Sequence, residues 1–275
     1  VVTAFFVGLS SGGLLLNRKL RNTAHPLRWY VGLELLIGLW ALCLIVLLPH
    51  YNLWSARQIG IDPHPVWHWS VAFGASLLVL LPATLAMGAT LPAALRVTRS
   101  LLSTDFAVAG LYAANTAGAL FGTLIATYWL LPVMGLNQTL LVFAVLNFGI
   151  ASILWLAIPR RDTLSTPATA SSSSDSGRRL LPVLFITGLL GLGYEVLVLR
   201  VLAQVLEGTV YSFAAVLAVY LLGTAVGAAW YQQRQRRVAL DADGWTRRSH
   251  RLFALTALLC LTGIVLLWLT ETVYR

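Results

Sequence analysis

The chain alternates long apolar runs with short polar segments. A bilayer core about 30 Å thick requires roughly 20 apolar residues per helix, and this length divides the sequence into consecutive spans. The runs cover residues 1–16, 27–48, 67–91, 106–131, 136–158, 180–206, 209–231 and 252–270. Each run is continuously apolar and lacks the alternation of an outer-membrane barrel strand. The pattern therefore predicts an all-α, polytopic integral membrane bundle of about eight transmembrane helices.

Three regions follow from the same pattern. Residues 1–158 form a first membrane unit of five helices, and we expect its opening helix to be missing because the chain starts inside a short apolar run. Residues 159–179 read PRRDTLSTPATASSSSDSGRR, a polar stretch without apolar periodicity that is typical of a flexible linker. Residues 180–275 form the start of a second membrane unit with three helices.

Composition and charge narrow the class. The chain is 58% hydrophobic and only 11% charged, whereas soluble domains carry about 25% charged residues. Sixteen of the 19 Lys and Arg residues lie in alternate loops, at 17–28, 92–105, 159–179 and 232–251. By the positive-inside rule these loops, the linker included, are cytoplasmic in a bacterial inner membrane. The net charge of +9 thus indicates membrane orientation, and no motif points to nucleic acid as a partner.

The sequence contains an internal repeat. The first helix ends FFVGLSSGGLLLNRKLR and the seventh ends YLLGTAVGAAWYQQRQRR, each with a glycine pair at i and i+4 before a basic tail. The pairs are Gly8 with Gly12 and Gly223 with Gly227. Both helices run from outside to inside, so the predicted repeat is parallel and resembles the relation between major-facilitator halves.

Three motifs carry a resemblance to a known family. They are MGATLP within residues 81–96, YAANTAG within 110–140 and GYEVLVLR within 188–227. Together these stretches resemble the membrane region of bacterial spermidine synthase-like proteins, the major-facilitator/spermidine-synthase fusions. The resemblance implies a cytoplasmic aminopropyltransferase-like Rossmann domain as a partner, which this sequence does not contain.

Glu195 is the most informative polar residue, because it lies about 20 Å into its predicted helix, beside Tyr194. A carboxylate at that depth costs several kcal/mol unless it is paired, protonated or facing water. It is therefore either a structural hydrogen-bonding group or a site for a proton, a cation or a polyamine-like amine. Arg200, Gln204 and Glu207 form a polar stripe near the outer boundary, where a structural pair is favoured over a gate.

Other polar residues also fall inside predicted helices. Asn115, Thr116 and Asn147 lie close to the midplane, and helix-to-helix hydrogen bonding is favoured over substrate contact for them. A small-residue stripe that includes Gly118 and Gly122 is expected to bring Asn115 into a protein-lined interior. Glu34 lies about 10 Å from the cytoplasmic end of the second helix, where Arg28 or an arginine of another loop is the expected partner.

The remaining chemistry is sparse. His64 and His68 have a spacing that suits a metal on a helix, but two histidines without a third ligand are weak grounds for one, so we expect no metal. Cys43 and Cys260 lie in apolar runs and are interpreted as packing residues. No nucleophile with a base and no cofactor motif in a suitable context is present, and no catalytic residue is assigned.

Three functions remain open at this point. In the first, the chain is the membrane module of a spermidine synthase-like protein, anchoring or serving a synthase domain. Alternatively, it transports a small solute, of which a cation is one candidate, or it is a non-catalytic scaffold subunit that contacts other membrane subunits. In all three, the lipid bilayer is the first partner.

Overall fold

The fold was analysed in a computed structural model that describes most of the chain. The described residues are 2–21, 23, 25–60, 64–101, 107–157 and 209–235, with individual residues between 182 and 198 and most of 251–269. The principal helices are α1 (Val2–Arg21), α2 (Pro26–Ile59), α3 (Pro65–Leu101), α4 (Ala107–Ile125), α5 (Leu131–Ala157) and α6 (Val210–Gln235). Across these residues the structure is helical and contains no strand, so the predicted all-α class is confirmed.

Helices α1 and α3 cross at a contact made of small residues. Gly12 lies against the backbone of Leu85, and Gly88 lies against the backbone of Leu9 and Gly13. Gly8 in turn faces the side chain of Thr84. Small residues on both helices let the two backbones approach closely, which is the usual way that apolar helices associate in a membrane. The glycine pair found in the sequence is therefore the α1 side of a helix crossing.

Helix α2 lies between α3 and α5 and contacts both. On the α3 side, the indole Nε1 of Trp40 donates a hydrogen bond of 2.9 Å to the carbonyl of Val79, one turn before Pro82. On the α5 side, Gly38 packs on the ring of Phe148 and the carbonyl of Ala144. An indole bound to a neighbouring backbone carbonyl fixes the rotation of α2 against α3.

Helices α4 and α5 follow each other through a π-helical turn, Ala126–Leu130. The chain then breaks at Gly135, whose φ of 77° is the left-handed conformation that glycine adopts without a Cβ clash. The break falls in the predicted loop between the fourth and fifth apolar runs. Within the π turn, the Tyr128 hydroxyl donates a hydrogen bond of 2.8 Å to the Tyr211 carbonyl at the start of α6.

Helix α3 extends further than the sequence indicated. Its predicted apolar run covers residues 67–91, whereas the helix continues through Pro82 and Pro92 to Leu101. A proline removes one backbone donor and its ring crowds the preceding turn, so it weakens the helix locally, but it does not end α3 at either position.

The buried and exposed residues are distributed in the opposite way to a water-soluble bundle. Most buried apolar residues are small, with alanines such as Ala4, Ala89 and Ala144 fully buried. Large apolar side chains face outward, including Leu14 at 78% and Leu156 at 81% exposure. Among the described residues, four helical stretches are long and apolar enough to cross a membrane: Pro26–Ile59, Pro65–Thr98, Gly110–Leu156 and Val210–Trp230. The third of these contains the break at Gly135 and covers two predicted spans.

The chain divides into two compact units, Val1–Ala228 and Ala229–Arg275. The first unit holds helices α1 to α5 and most of α6. The second holds a short apolar helix, Ala254–Gly263. The described residues do not test the predicted repeat, which stays a prediction.

Candidate functional site

Glu34 is the buried carboxyl group among the described apolar helices. Glu34 is only 8% exposed, and the residues around it in α2 are apolar. Counting from the start of α2 at Pro26, it lies about 12 Å along the helix. A group so expensive to bury is the first place to look for function in an apolar bundle.

The partner that the structure gives Glu34 is Tyr30, whose side chain forms a hydrogen bond with it. Of the predicted partners, Arg28 has an exposed side chain at the helix end, and several loop arginines lie outside the residues whose side chains are described. Residues four apart lie on one stripe of a helix, whereas residues six apart lie on different faces. Tyr30 therefore reaches the carboxyl group from one turn away, and the spacing alone was enough to identify it.

Two helix contacts border Glu34. Its neighbour Leu33, together with Ile37, belongs to a buried cluster with Ala86 and Ala89 of α3. One turn further along its own stripe, Gly38 packs on Phe148 of α5. The carboxyl group thus lies where α2 passes from its contact with α3 to its contact with α5. We call Glu34 and Tyr30 at this position the α2 polar pair.

Two of the three predicted midplane residues donate hydrogen bonds within their own helices. Asn147 Nδ2 donates to the Phe143 carbonyl at 2.8 Å, and the buried Thr116 hydroxyl donates to the Tyr112 carbonyl at 2.8 Å. The side chain of Asn115 is exposed. Within the described part of the chain, no neighbouring atom lies within 4 Å of the point that a Cβ on Gly118 or Gly122 would occupy, so the role of this stripe stays a prediction.

Several predicted site residues cannot be placed. Tyr194, Glu195, Arg200, Gln204 and Glu207 lie outside the described residues. Of the predicted intramembrane site, the structure describes Glu34, Asn115, Thr116 and Asn147.

Sequence reasoning missed a second polar contact, at the end of the bundle where α2 begins. Arg96 of α3 donates from Nη1 to the carbonyl of Leu20, at the end of α1, over 2.6 Å. Leu20 is fully buried, so its carbonyl needs a donor from the protein. The last four carbonyls of any helix lack partners in their own helix, and this general fact is the signal that pointed to such a contact.

The two histidines that follow α2, His64 and His68, lie at the start of α3. The backbone N–H of His68 donates to the His64 carbonyl at 3.0 Å, an ordinary helical bond. Among the described residues, no group of three His, Cys, Asp or Glu side chains is close enough to hold a metal ion. Asp62, which accompanies the histidines in the sequence, lies outside the described residues.

Comparison with protein-family models, with curated proteins and with solved structures gives no match to this chain.

Proposed function

We propose that the chain is a multi-pass module of the bacterial inner membrane that anchors or serves a cytoplasmic aminopropyltransferase-like domain. The membrane part of this proposal rests chiefly on the outward-facing large apolar side chains of membrane-length helices. The synthase part is supported by the motifs MGATLP, YAANTAG and GYEVLVLR, which resemble spermidine synthase-like proteins.

The physical argument for a lipid environment rests on the large apolar side chains at the surface of the protein. Burying a leucine or valine side chain yields about 1.5–3 kcal/mol relative to leaving it in water. Leu14, Val133, Leu156 and Val219 are each about 70–80% exposed, and many more large apolar residues are partly so. In water this surface forms apolar patches larger than monomeric proteins normally tolerate. Lipid acyl chains around the helices remove the free-energy cost of exposing these side chains to water, and the helices need not rearrange.

We predict that the basic loops face the cytoplasm. In a variant with Cys43 and Cys260 replaced by serine, a cysteine at Ser172 in the linker is expected to react with a membrane-impermeant maleimide only after the inner membrane is opened. A cysteine at Asn52, which is exposed near the opposite end of α2, is expected to react in intact spheroplasts. Labelling of Ser172→Cys in intact spheroplasts means that the orientation is inverted.

The coding sequence beyond Arg275 and the proteins that co-purify with the chain distinguish the functional interpretations. A Rossmann-type aminopropyltransferase, fused or co-purifying from native membranes, supports the synthase module. A continuation into a second set of six helices supports a transporter. Stable association with a larger membrane complex that has no such domain supports a scaffold subunit.

A second function, transport of a small cationic solute, is favoured by the burial of Glu34. A carboxyl group held by a phenol inside an apolar bundle offers a negative site that one positive charge can fill, whether a proton or an amine. Its position between two helix contacts also makes it sensitive to any sliding of α2.

We predict that a transport role for Glu34 makes uptake depend on its carboxyl group. In proteoliposomes, Glu34→Gln is expected to reduce uptake of a labelled polyamine at least tenfold while the protein stays folded. The matched control is Gln58→Glu, which adds an exposed carboxyl group near the other end of the same helix and is expected to leave uptake unchanged. Equal uptake by Glu34→Gln and the unchanged protein rules out this function and leaves the first proposal standing.

A further inference from the structure

The ends of three helices meet and bring basic residues together. The buried cluster that includes Leu20 at the end of α1 and Ala93 near the end of α3 also contacts Trp29 at the start of α2. Lys19 is adjacent to Leu20, Arg28 is adjacent to Trp29, and Arg96 is bonded to the Leu20 carbonyl. We call Lys19, Arg28 and Arg96 the basic end.

This end carries an excess of positive charge. Its two segments, residues 17–33 and 91–104, also hold Arg18, Arg21 and Arg99. The acidic residues nearest in sequence are Glu34, which is buried beside Tyr30, and Asp105, which lies outside the described residues. The side chains of Lys19 and Arg28 are exposed, and that of Arg96 is half-buried. Like charges gathered in this way repel one another, and an anion from outside the chain relieves the repulsion.

Helix dipoles explain part of this arrangement and leave part unexplained. Lys19 and Arg96 lie near the ends of α1 and α3, where the dipole favours cations. Arg28 lies in the first turn of α2, where the dipole disfavours them, and that turn contains no acidic residue. A basic residue in the unfavourable position is consistent with a bound anion that interacts with it.

The position of the basic end along the helices indicates which kind of anion it would meet. Trp29 and Tyr30 follow directly on Arg28, and aromatic residues of this type favour the boundary between acyl chains and headgroups. Beyond them, the apolar stretches of α2 and α3 are long enough to cross a membrane. The basic residues therefore lie at the level of the lipid phosphates.

Arg96 is held in place for this contact. Leu20 accepts one of the five guanidinium N–H groups, and among the described residues no further acceptor is bonded to the other four. A fixed guanidinium with spare donors matches the oxygens of a phosphate, which it can contact through two N–H groups at once.

We propose that the basic end binds the phosphate headgroup of an anionic phospholipid. Arg96 contacts the phosphate oxygens, and Lys19 and Arg28 from the adjacent helices complete the positive site. This inference rests on the membrane part of the proposed function. The site ties together the ends of α1, α2 and α3 on the side predicted to be cytoplasmic.

The test uses the whole chain purified in neutral detergent, with bound phosphatidylglycerol counted by native mass spectrometry. The unchanged protein is expected to retain phosphatidylglycerol in preference to phosphatidylcholine. Since each basic residue near an anionic surface contributes about fivefold in affinity, Lys19→Gln with Arg28→Gln is expected to weaken retention by roughly 25-fold. Both side chains are exposed, so the double variant is expected to remain folded. Arg96→Gln is a further variant, which also loses the bond to Leu20.

The control is Arg57→Gln, which removes an exposed basic residue in the last turn of α2, at the other end of that helix. It is expected to retain phosphatidylglycerol as the unchanged protein does. Equal retention of the two lipids, or no loss in the double variant, overturns the proposal. If millimolar inorganic phosphate displaces the lipid, the ligand of this site is free phosphate and the lipid proposal is overturned. Failure of the membrane proposal is seen separately, as release of the chain from membranes at alkaline pH without detergent.

Discussion

Gly88→Ala is expected to destabilise the protein by about 1–3 kcal/mol, the usual cost of overpacking a tight contact. The added Cβ meets the backbone of Leu9, with its carbonyl carbon at 2.9 Å, and the backbone nitrogen of Gly13 at 3.0 Å. Backbone atoms cannot rotate away as a side chain can, so α1 and α3 must move apart. The measurement is the free energy of unfolding in detergent, followed by helical circular dichroism.

The control for this substitution is Gly74→Ala on the same helix. No described atom lies within 4 Å of the Cβ that it adds, and alanine is better than glycine in a helix interior by about 0.5–1 kcal/mol. The two substitutions make the same chemical change and are expected to shift stability in opposite directions. Equal shifts contradict the close crossing of α1 and α3.

The sequence singled out the glycine pair of α1 but did not show what that pair contacts. The pair Gly8 and Gly12 stands out because i,i+4 spacing places both on one face of α1. Gly88 was noted only as part of the motif MGATLP. Which two faces meet depends on the rotation and depth of both helices, and an apolar run fixes neither of them.

The positions of the principal helices were predictable because each follows a continuous apolar run of the length that a bilayer would require. The ends of the helices were less predictable. Helix α2 was expected to leave the membrane near Leu48, yet it continues past Pro49 to Ile59. An apolar window detects where a helix leaves lipid, whereas the helix itself ends where a residue such as Gly60, with φ of 74°, turns the chain away.

The polar residues show where sequence reasoning was limited. Arg28 or an arginine of another loop was expected as the partner of Glu34, and the structure adds Tyr30, which helix geometry places on the same stripe. The bond from Arg96 to Leu20 joins residues 76 positions apart, and the bond from Trp40 to Val79 joins residues 39 apart. Such contacts exist only after three helices have associated, so no local pattern contains them.

The α2 polar pair distinguishes a structural role from a functional one through stability. Tyr30→Phe removes the hydroxyl and leaves the Glu34 carboxyl group without its donor. An acceptor orphaned in this way costs about 1–3 kcal/mol, whereas replacing both partners by apolar groups of similar shape is nearly neutral. Tyr51→Phe makes the same change elsewhere on α2 and serves as the control, with an expected effect within about 0.5 kcal/mol.

We therefore expect the double variant Tyr30→Phe with Glu34→Leu to be more stable than Tyr30→Phe alone. The added leucine joins Leu33 and Ile37, which already contact the alanines of α3. The four proteins of this cycle are compared by their free energies of unfolding in one detergent, which isolates the coupling between the two side chains. A double variant that is less stable than either single variant shows that Glu34 has further partners. If stability recovers and polyamine uptake does not, the carboxyl group acts in transport, because only function then still depends on it. Recovery of both assigns the pair to helix association alone.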